Sequence, residues 1–284
     1  MRIGAHVSTA GGADKAIQRA KEMGAEAIQI FTSPPQSWRR KTFTPAEMEA
    51  FRAAAAAEDI GPNFVHGAYL INLATPEPDK LKKSVDALIK DMELCQQLGL
   101  KGVIFHTGSH KGLGFEATLG QITSAIAQVL ESTPQGVWLV LENSAGMGDS
   151  VGSKFAELGR IIREVDSPRL KVCLDTQHMF AAGYEVRTKD GLDRALEEFH
   201  REIGLERLVA VHANDSKCPL GGGVDRHENI GHGHIGRQGF LNIMAHPALR
   251  DVPFLLEVPG MDGEGPDKAN VDILKEIRAA ILAS

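Results

Sequence analysis

Eight short apolar runs recur along the chain, and amphipathic stretches fill the intervals between them. The runs are Arg2–His6, Ala27–Phe31, Pro62–His66, Gly102–His106, Val137–Glu142, Lys171–Asp175, Leu208–His212 and Pro253–Glu257. Continuous apolar segments of this length suit parallel strands buried on both faces. Between them, Thr44-Pro45-Ala46-Glu47 forms a capping box with proline at the first helical position, opening a helix through the Ala53–Ala57 run. Asp79–Leu98 predicts a long amphipathic helix stopped by Gly99. Further helices are expected near Ala13–Met23, Glu116–Glu131, Gly152–Val165, Asp190–Ile203, Gln238–Ala245 and Asp267–Leu282. Alternating strands and helices in these numbers, over 284 residues, predict a single-domain α/β fold, a (β/α)8 barrel of the TIM type. An open doubly wound sheet is the alternative. Its phosphate fingerprint G-x-G-x-x-G occurs at Gly231–Gly236, but far beyond the preceding strand, so it reads as a chance match in a glycine-rich loop.

The chemistry lies in how the runs finish. His66, His106, Glu142, Asp175, His212 and Glu257 each end one of them. A histidine or carboxylate at one strand end most often caps a turn. Six such endings, however, would converge on the C-terminal mouth of a barrel, where active sites are built. His178, three residues past Asp175 at a strand-to-helix junction, can face the same cleft, and Asp225 and His227 lie in the glycine-rich loop after His212. Nine such groups exceed one tetrahedral zinc and suit a cluster bridged by a carboxylate. Imidazole with carboxylate favours Zn2+, with Mn2+ as a substitute, over calcium or magnesium. Two or three dications close together suit phosphodiester hydrolysis, which needs concentrated positive charge.

Composition changes this picture little. The chain is 43% hydrophobic and 24% charged, ordinary for a globular protein. Cys95, Cys173 and Cys218 are odd in number and form no C-x-x-C pair, so reduced thiols in a cytoplasmic protein are expected. No apolar run is long enough to span a membrane, no secretory signal is visible, and a monomer without a membrane partner is expected. The formal charge of −6 argues against a nucleic-acid partner. A cluster of three dications would add about +6 where a phosphate must sit, which answers that objection.

Several words along the chain resemble the endonuclease IV family of apurinic/apyrimidinic endonucleases. They are Gly4-Ala-His-Val-Ser, Tyr69-Leu-Ile-Asn-Leu, His106-Thr-Gly-Ser-His, Leu141-Glu-Asn-Ser-Ala-Gly, Leu174-Asp-Thr-Gln-His, His212-Ala-Asn-Asp-Ser-Lys and Asp225-Arg-His-Glu-Asn-Ile-Gly. The resemblance implies a TIM barrel with three zinc ions. His66, His106 and Glu142 would hold one, Glu142 would bridge to a second completed by Asp175, His212 and Glu257, and His178, Asp225 and His227 would hold the third. It implies cleavage 5′ to an abasic site in double-stranded DNA, leaving a 3′-hydroxyl, with Glu142 and Glu257 as the catalytic carboxylates. Loops at the mouth would bend the duplex and flip the lesion out.

Here the sequence departs from the family in places. Gln36 stands where the family often has an arginine, although Arg39, Arg40 and Lys41 follow closely; Thr107 stands where proline is usual, and His232 where glutamate is usual. Gln36, Trp38, Arg39, Tyr69 and Leu70 are the candidate DNA-contacting residues, with Tyr69 and Leu70 as an apolar wedge for an opened base stack. His6 is expected to orient a ligand rather than to be one. His110, His200 and His246 read as surface or capping residues, and His232 and His234 as loop structure. Two rival functions are a divalent-metal sugar isomerase on the same kind of barrel and a non-catalytic module that binds damaged DNA.

Overall fold

The computed structural model describes residues 1–283. Strands β1 (Ile3–His6), β2 (Ile28–Phe31), β3 (Phe64–His66), β4 (Gly102–His106), β5 (Trp138–Glu142), β6 (Leu170–Asp175) and β7 (Leu208–His212) fall on the predicted runs. Two short strands, β8 (Asp215–Ser216) and β9 (His227–Glu228), precede β10 (Phe254–Leu256). The first helices are α1 (Asp14–Met23), α2 (Pro45–Ala57), α3 (Pro78–Gln97), α4 (Phe115–Glu131) and α5 (Phe155–Val165). The rest are α6 (Thr176–Ala181), α7 (Lys189–Glu202), α8 (Gly236–Ala245) and α9 (Lys268–Ala283).

β1–β7 and β10 close into a parallel barrel in the order β1-β10-β7-β6-β5-β4-β3-β2. Closure comes from β1, which pairs with both β2 and β10 and so leaves no open edge. The TIM-barrel expectation holds, and the open sheet is excluded. At α2 the capping box forms as read: Thr44 Oγ1 accepts from Glu47 N at 3.2 Å, and the Glu47 carboxylate accepts from Thr44 N at 2.7 Å. The junction after Asp175 becomes the separate short helix α6. The β8–β9 ribbon was not foreseen. Two residues per strand are too few for alternation to be visible in a sequence.

What positions the site is side-chain parity. Successive side chains on a strand face opposite ways, so residues two apart share a face. Ala27, Phe64, Ile104, Val140, Cys173, Ala210 and Leu255 form one buried cluster inside the barrel, with one residue on or beside each strand from β2 to β7 and on β10. Each large member contributes about 1.5–3 kcal/mol by burial. Gly4 is the β1 counterpart; a Cβ there would lie 2.3 Å from the Ala27 carbonyl oxygen, so only glycine fits. Two residues further along, the same inward parity selects His6, Gln29, His66, His106, Glu142, Asp175, His212 and Glu257. An apolar plug therefore carries a single polar layer at its C-terminal end.

Candidate metal centre

Glu142 is the hub of that layer. It is fully buried, and its Oε2 lies 3.1 Å from His66 Nε2 and 3.5 Å from His106 Nε2. Its Oε1 lies 3.0 Å from His212 Nδ1 and 3.2 Å from His178 Nδ1. Burial alone would raise the Glu142 pKa, but the charges of His106 and His212 hold it well below the usual carboxylate range. Glu257 behaves alike: burial raises its pKa, while His212 and His66 outweigh that and bring it to about 2. Glu257 Oε2 lies 3.2 Å from His212 Nδ1.

Asp175 has two duties. It caps α6 by accepting from His178 N at 2.8 Å, which sets His178 one helical turn above the strand end. Its Oδ2 accepts from Asn214 Nδ2 at 2.7 Å and lies 3.5 Å from His227 Nε2. The β8–β9 ribbon brings His227 back over the mouth by pairing Ser216 with His227. Asp225, in the same excursion, places Oδ1 3.3 Å from His178 Nε2 and 3.4 Å from His227 Nε2. Burial raises the Asp225 pKa, but His178 and His227 pull it far down. The glycine-rich loop beyond is pinned by buried Asp215, which accepts from the backbone N–H of Gly231, Gly233, Ile235 and Gly236. A side-chain carboxylate thus takes up amides that a nucleotide phosphate would use in a true fingerprint.

The donor set fits metal ions on its own terms. His66 Nδ1 donates to the Gly67 carbonyl (2.7 Å), His178 Nδ1 to that of Asn143 (2.9 Å) and His227 Nδ1 to that of Glu257 (3.2 Å). Each such bond holds the ring proton on Nδ1 and leaves Nε2 as a lone pair turned into the cluster, the outer-shell arrangement of metal-binding histidines. His178 Nε2 and His227 Nε2 are buried and have no hydrogen-bond partner, which is costly unless another ligand takes them. Ligand atoms come within 4.8 Å of one another in three sets: His66, His106 and Glu142; Glu142, Asp175, His212 and Glu257; and Asp175, His178 and His227. The third set draws on Asp175, with Asp225 against both its histidines.

Gln29 escaped the reading of the sequence. It sits inside the β2 run rather than at its end, so attention to strand ends passed over it. The signal was a polar side chain in the apolar word Ile28-Gln-Ile-Phe, at the inward parity. Asn214 and Asn143 were missed similarly. Asn214 Oδ1 accepts from Glu257 N at 2.8 Å, and Asn143 Oδ1 from Asp175 N at 2.7 Å.

A cavity of about 830 Å³ opens above the cluster, lined among others by Tyr69, Leu70, Lys80, Lys111, Met147 and Arg226. Tyr69 is 57% exposed, its ring edge-on to Phe31 at 5.5 Å and to His66 at 5.7 Å. Tyr69 N donates to the Pro35 carbonyl at 2.8 Å, which sets the loop bearing Gln36 beside this residue. Gln36 and Arg39 are exposed, and Trp38 packs partly against the core. Arg40 is not available to a ligand: it pairs with buried Asp91 and donates to the Ala87 carbonyl at 2.7 Å. Among the other histidines, His110, His200 and His246 each accept a backbone N–H through Nδ1. His6 Nδ1 lies 3.1 Å from Gln29 Nε2, and burial lowers its pKa to about 4 despite Glu257.

Residues 17–279 match a family described as "Xylose isomerase-like TIM barrel". "Probable endonuclease 4" of Halothermothrix orenii is 42% identical over 276 residues, 97% of this chain and 99% of that one. The protein of the same name from Methanoculleus marisnigri is 42% identical over 280 residues, 98% and 99% of the two chains. The crystal structure of endonuclease IV from Thermus thermophilus superposes with a TM-score of 0.87 at 35% identity, covering 99% of this chain and 100% of that one. A D-tagatose 3-epimerase-like protein shares the fold alone, at a TM-score of 0.76 and 19% identity. The barrel is thus common to sugar epimerases and nucleases, whereas full-length identity lies with the nucleases. The chain belongs to the endonuclease IV family of deoxyribonucleases.

Proposed function

We propose that this protein is a zinc-dependent repair endonuclease that hydrolyses the phosphodiester 5′ to an abasic site in duplex DNA, leaving a 3′-hydroxyl and a 5′-deoxyribose phosphate. The observation that carries this reading is the convergence of histidines and carboxylates at the barrel mouth, with the Nδ1 protons of His66, His178 and His227 held on backbone carbonyls and their Nε2 lone pairs turned into the cluster. His66, His106 and Glu142 would hold one zinc, and Glu142, Asp175, His212 and Glu257 a second. His178, His227 and Asp225 would hold the third, with Asp175 in reach of it. Bound dications would supply an activated water and neutralise the charge on the phosphate oxygens and the leaving alkoxide.

The remaining steps belong to side chains. Glu257 Oε2 faces the cluster while its Oε1 is tied to Gln29 at 2.6 Å, so one oxygen is held and the other is placed to accept a proton from the attacking water. Lys80, Lys111 and Arg226 line the cavity and can meet phosphates on either side of the cut. Exposed Tyr69 and half-buried Leu70 beside it offer the apolar surface that replaces a flipped-out nucleotide, a step that costs least where a base is already missing. A sugar isomerase would have no use for the His178, His227 and Asp225 group.

The test is a labelled duplex carrying one abasic analogue. A single nick on the 5′ side, with a product end that a polymerase extends directly, is the expected result. Cleavage on the 3′ side, or equal cleavage of intact duplex, would refute the reading.

A further inference from the structure

We propose that Gln29 is a positioning residue for the cluster: its one amide sets both the ring-proton position of His212 and the rotation of the Glu257 carboxylate. It is fully buried, and its side chain reaches from β2 across the barrel to groups carried by β1, β7 and the end of β10. Its Oε1 lies 2.8 Å from His212 Nε2, and its Nε2 donates to Glu257 Oε1 at 2.6 Å and faces His6 Nδ1 at 3.1 Å. Both N–H groups and the carbonyl oxygen of the amide thereby have a partner. The direction of the amide follows from Glu257: reversed, its carbonyl oxygen would face the acceptor-only Glu257 carboxylate.

His212 is the exception among the cluster histidines whose rings are tied outward. His66, His178 and His227 use backbone carbonyls, which no substitution of a side chain removes. His212, fully buried at the end of β7, takes its acceptor from the Gln29 side chain. With the proton held at Nε2, the Nδ1 lone pair points at Glu142 Oε1 (3.0 Å) and Glu257 Oε2 (3.2 Å). The same amide fixes Glu257 Oε1, which leaves Oε2 toward the cluster. One residue therefore orients two of the four groups in the set of Glu142, Asp175, His212 and Glu257. A barrel that merely needed filling at this position would take an aliphatic side chain, because burying an amide is unfavourable unless it is bonded.

This inference rests on the reading of the cluster as a metal site, and the experiment separates the two. Gln29→Met keeps the volume and removes the amide. Zinc affinity is measured by chelator competition, the ring N–H of His212 by nitrogen-resolved NMR of the zinc-loaded protein, and the melting temperature on metal-free protein. The expected result is that one equivalent of zinc binds about 10- to 100-fold more weakly. The His212 Nε2–H signal should exchange faster, with metal-free melting little changed. Gln29→Glu, which keeps the acceptor for His212 but opposes Glu257 with like charge, should retain that signal while weakening zinc. It carries the test alone if the methionine variant does not fold. Zinc affinity within about twofold of wild type in the variants, or loss of the His212 signal in Gln29→Glu, would overturn the proposal. A wild-type protein that holds no zinc would overturn the metal reading itself, and this inference with it.

Discussion

At the N-terminal end of the barrel, Arg169 donates to the carbonyls of Leu130, Val137 and Pro134 and to Thr133 Oγ1, and Arg278 grips both carboxylate oxygens of Glu26 at 2.7 and 2.8 Å. At the C-terminal mouth, four carboxylates and five histidines crowd together, and two buried ring nitrogens remain without a hydrogen-bond partner. Both ends hold charge at least partly out of water, yet only one end is satisfied by the chain itself. A saturated polar group fixes architecture. A convergent set of acceptors with its protons turned away lowers the stability of the bare chain and is kept for what it can bind.

Substitutions at the two ends should therefore separate activity from stability. The largest effect is expected from Glu257→Gln, which removes a charge from the mouth but not the shape. Nicking of abasic duplex should fall by at least about 10³-fold, with fold and most DNA affinity retained. Activity within about tenfold of wild type would make this carboxylate structural. At the other end, Arg169→Met leaves several carbonyls short of a donor and should cost on the order of 3 kcal/mol of stability. The folded fraction should cleave at an unchanged rate, as denaturant melts paired with nicking assays would read.

Acid titration sharpens the same contrast. Burial opposes ionisation of Glu26, but bonds from Arg278 and from the Ile3 N–H bring its folded pKa down to about 2 from an ordinary 4.5. A depressed carboxylate pKa stabilises the fold above the unfolded value, and that contribution is lost as pH falls from about 4.5 toward 2. Glu26→Gln should flatten the stability curve in that window without changing activity at neutral pH. An unaltered acid slope would show that Glu26 does not anchor α9 to the barrel floor. The smallest effects belong to the mouth loops. Leu70→Ala should reduce discrimination between abasic and intact duplex by about tenfold. Arg39→Ala should weaken both equally and flatten the salt dependence. Equal loss of affinity for both duplexes in Leu70→Ala would assign that residue to packing.

The two ends were unequally legible in the sequence. Strand ends at His66, His106, Glu142, Asp175, His212 and Glu257 stood out because a metal-ligating residue closed each apolar run. The fold was legible for the same reason, since continuous apolar runs of this length suit strands covered on both faces. Gln29 lay hidden within its run, and only the closed barrel, through parity, aligns it with the histidines and carboxylates of the mouth. The β8–β9 ribbon was too short to leave a pattern, although it is what delivers His227. Arg40 illustrates the opposite failure: in sequence it is one of the basic residues close after Gln36, where the family often has an arginine, but a buried carboxylate on α3, distant in sequence, claims it.

The central claim is that the mouth holds a metal cluster on which cleavage depends, and zinc per chain measured on the active protein tests it most directly. About three equivalents are expected, with nicking of abasic duplex lost on chelation and regained when zinc is restored. Active protein with at most one tightly bound metal, or nicking that survives complete chelation, would contradict it.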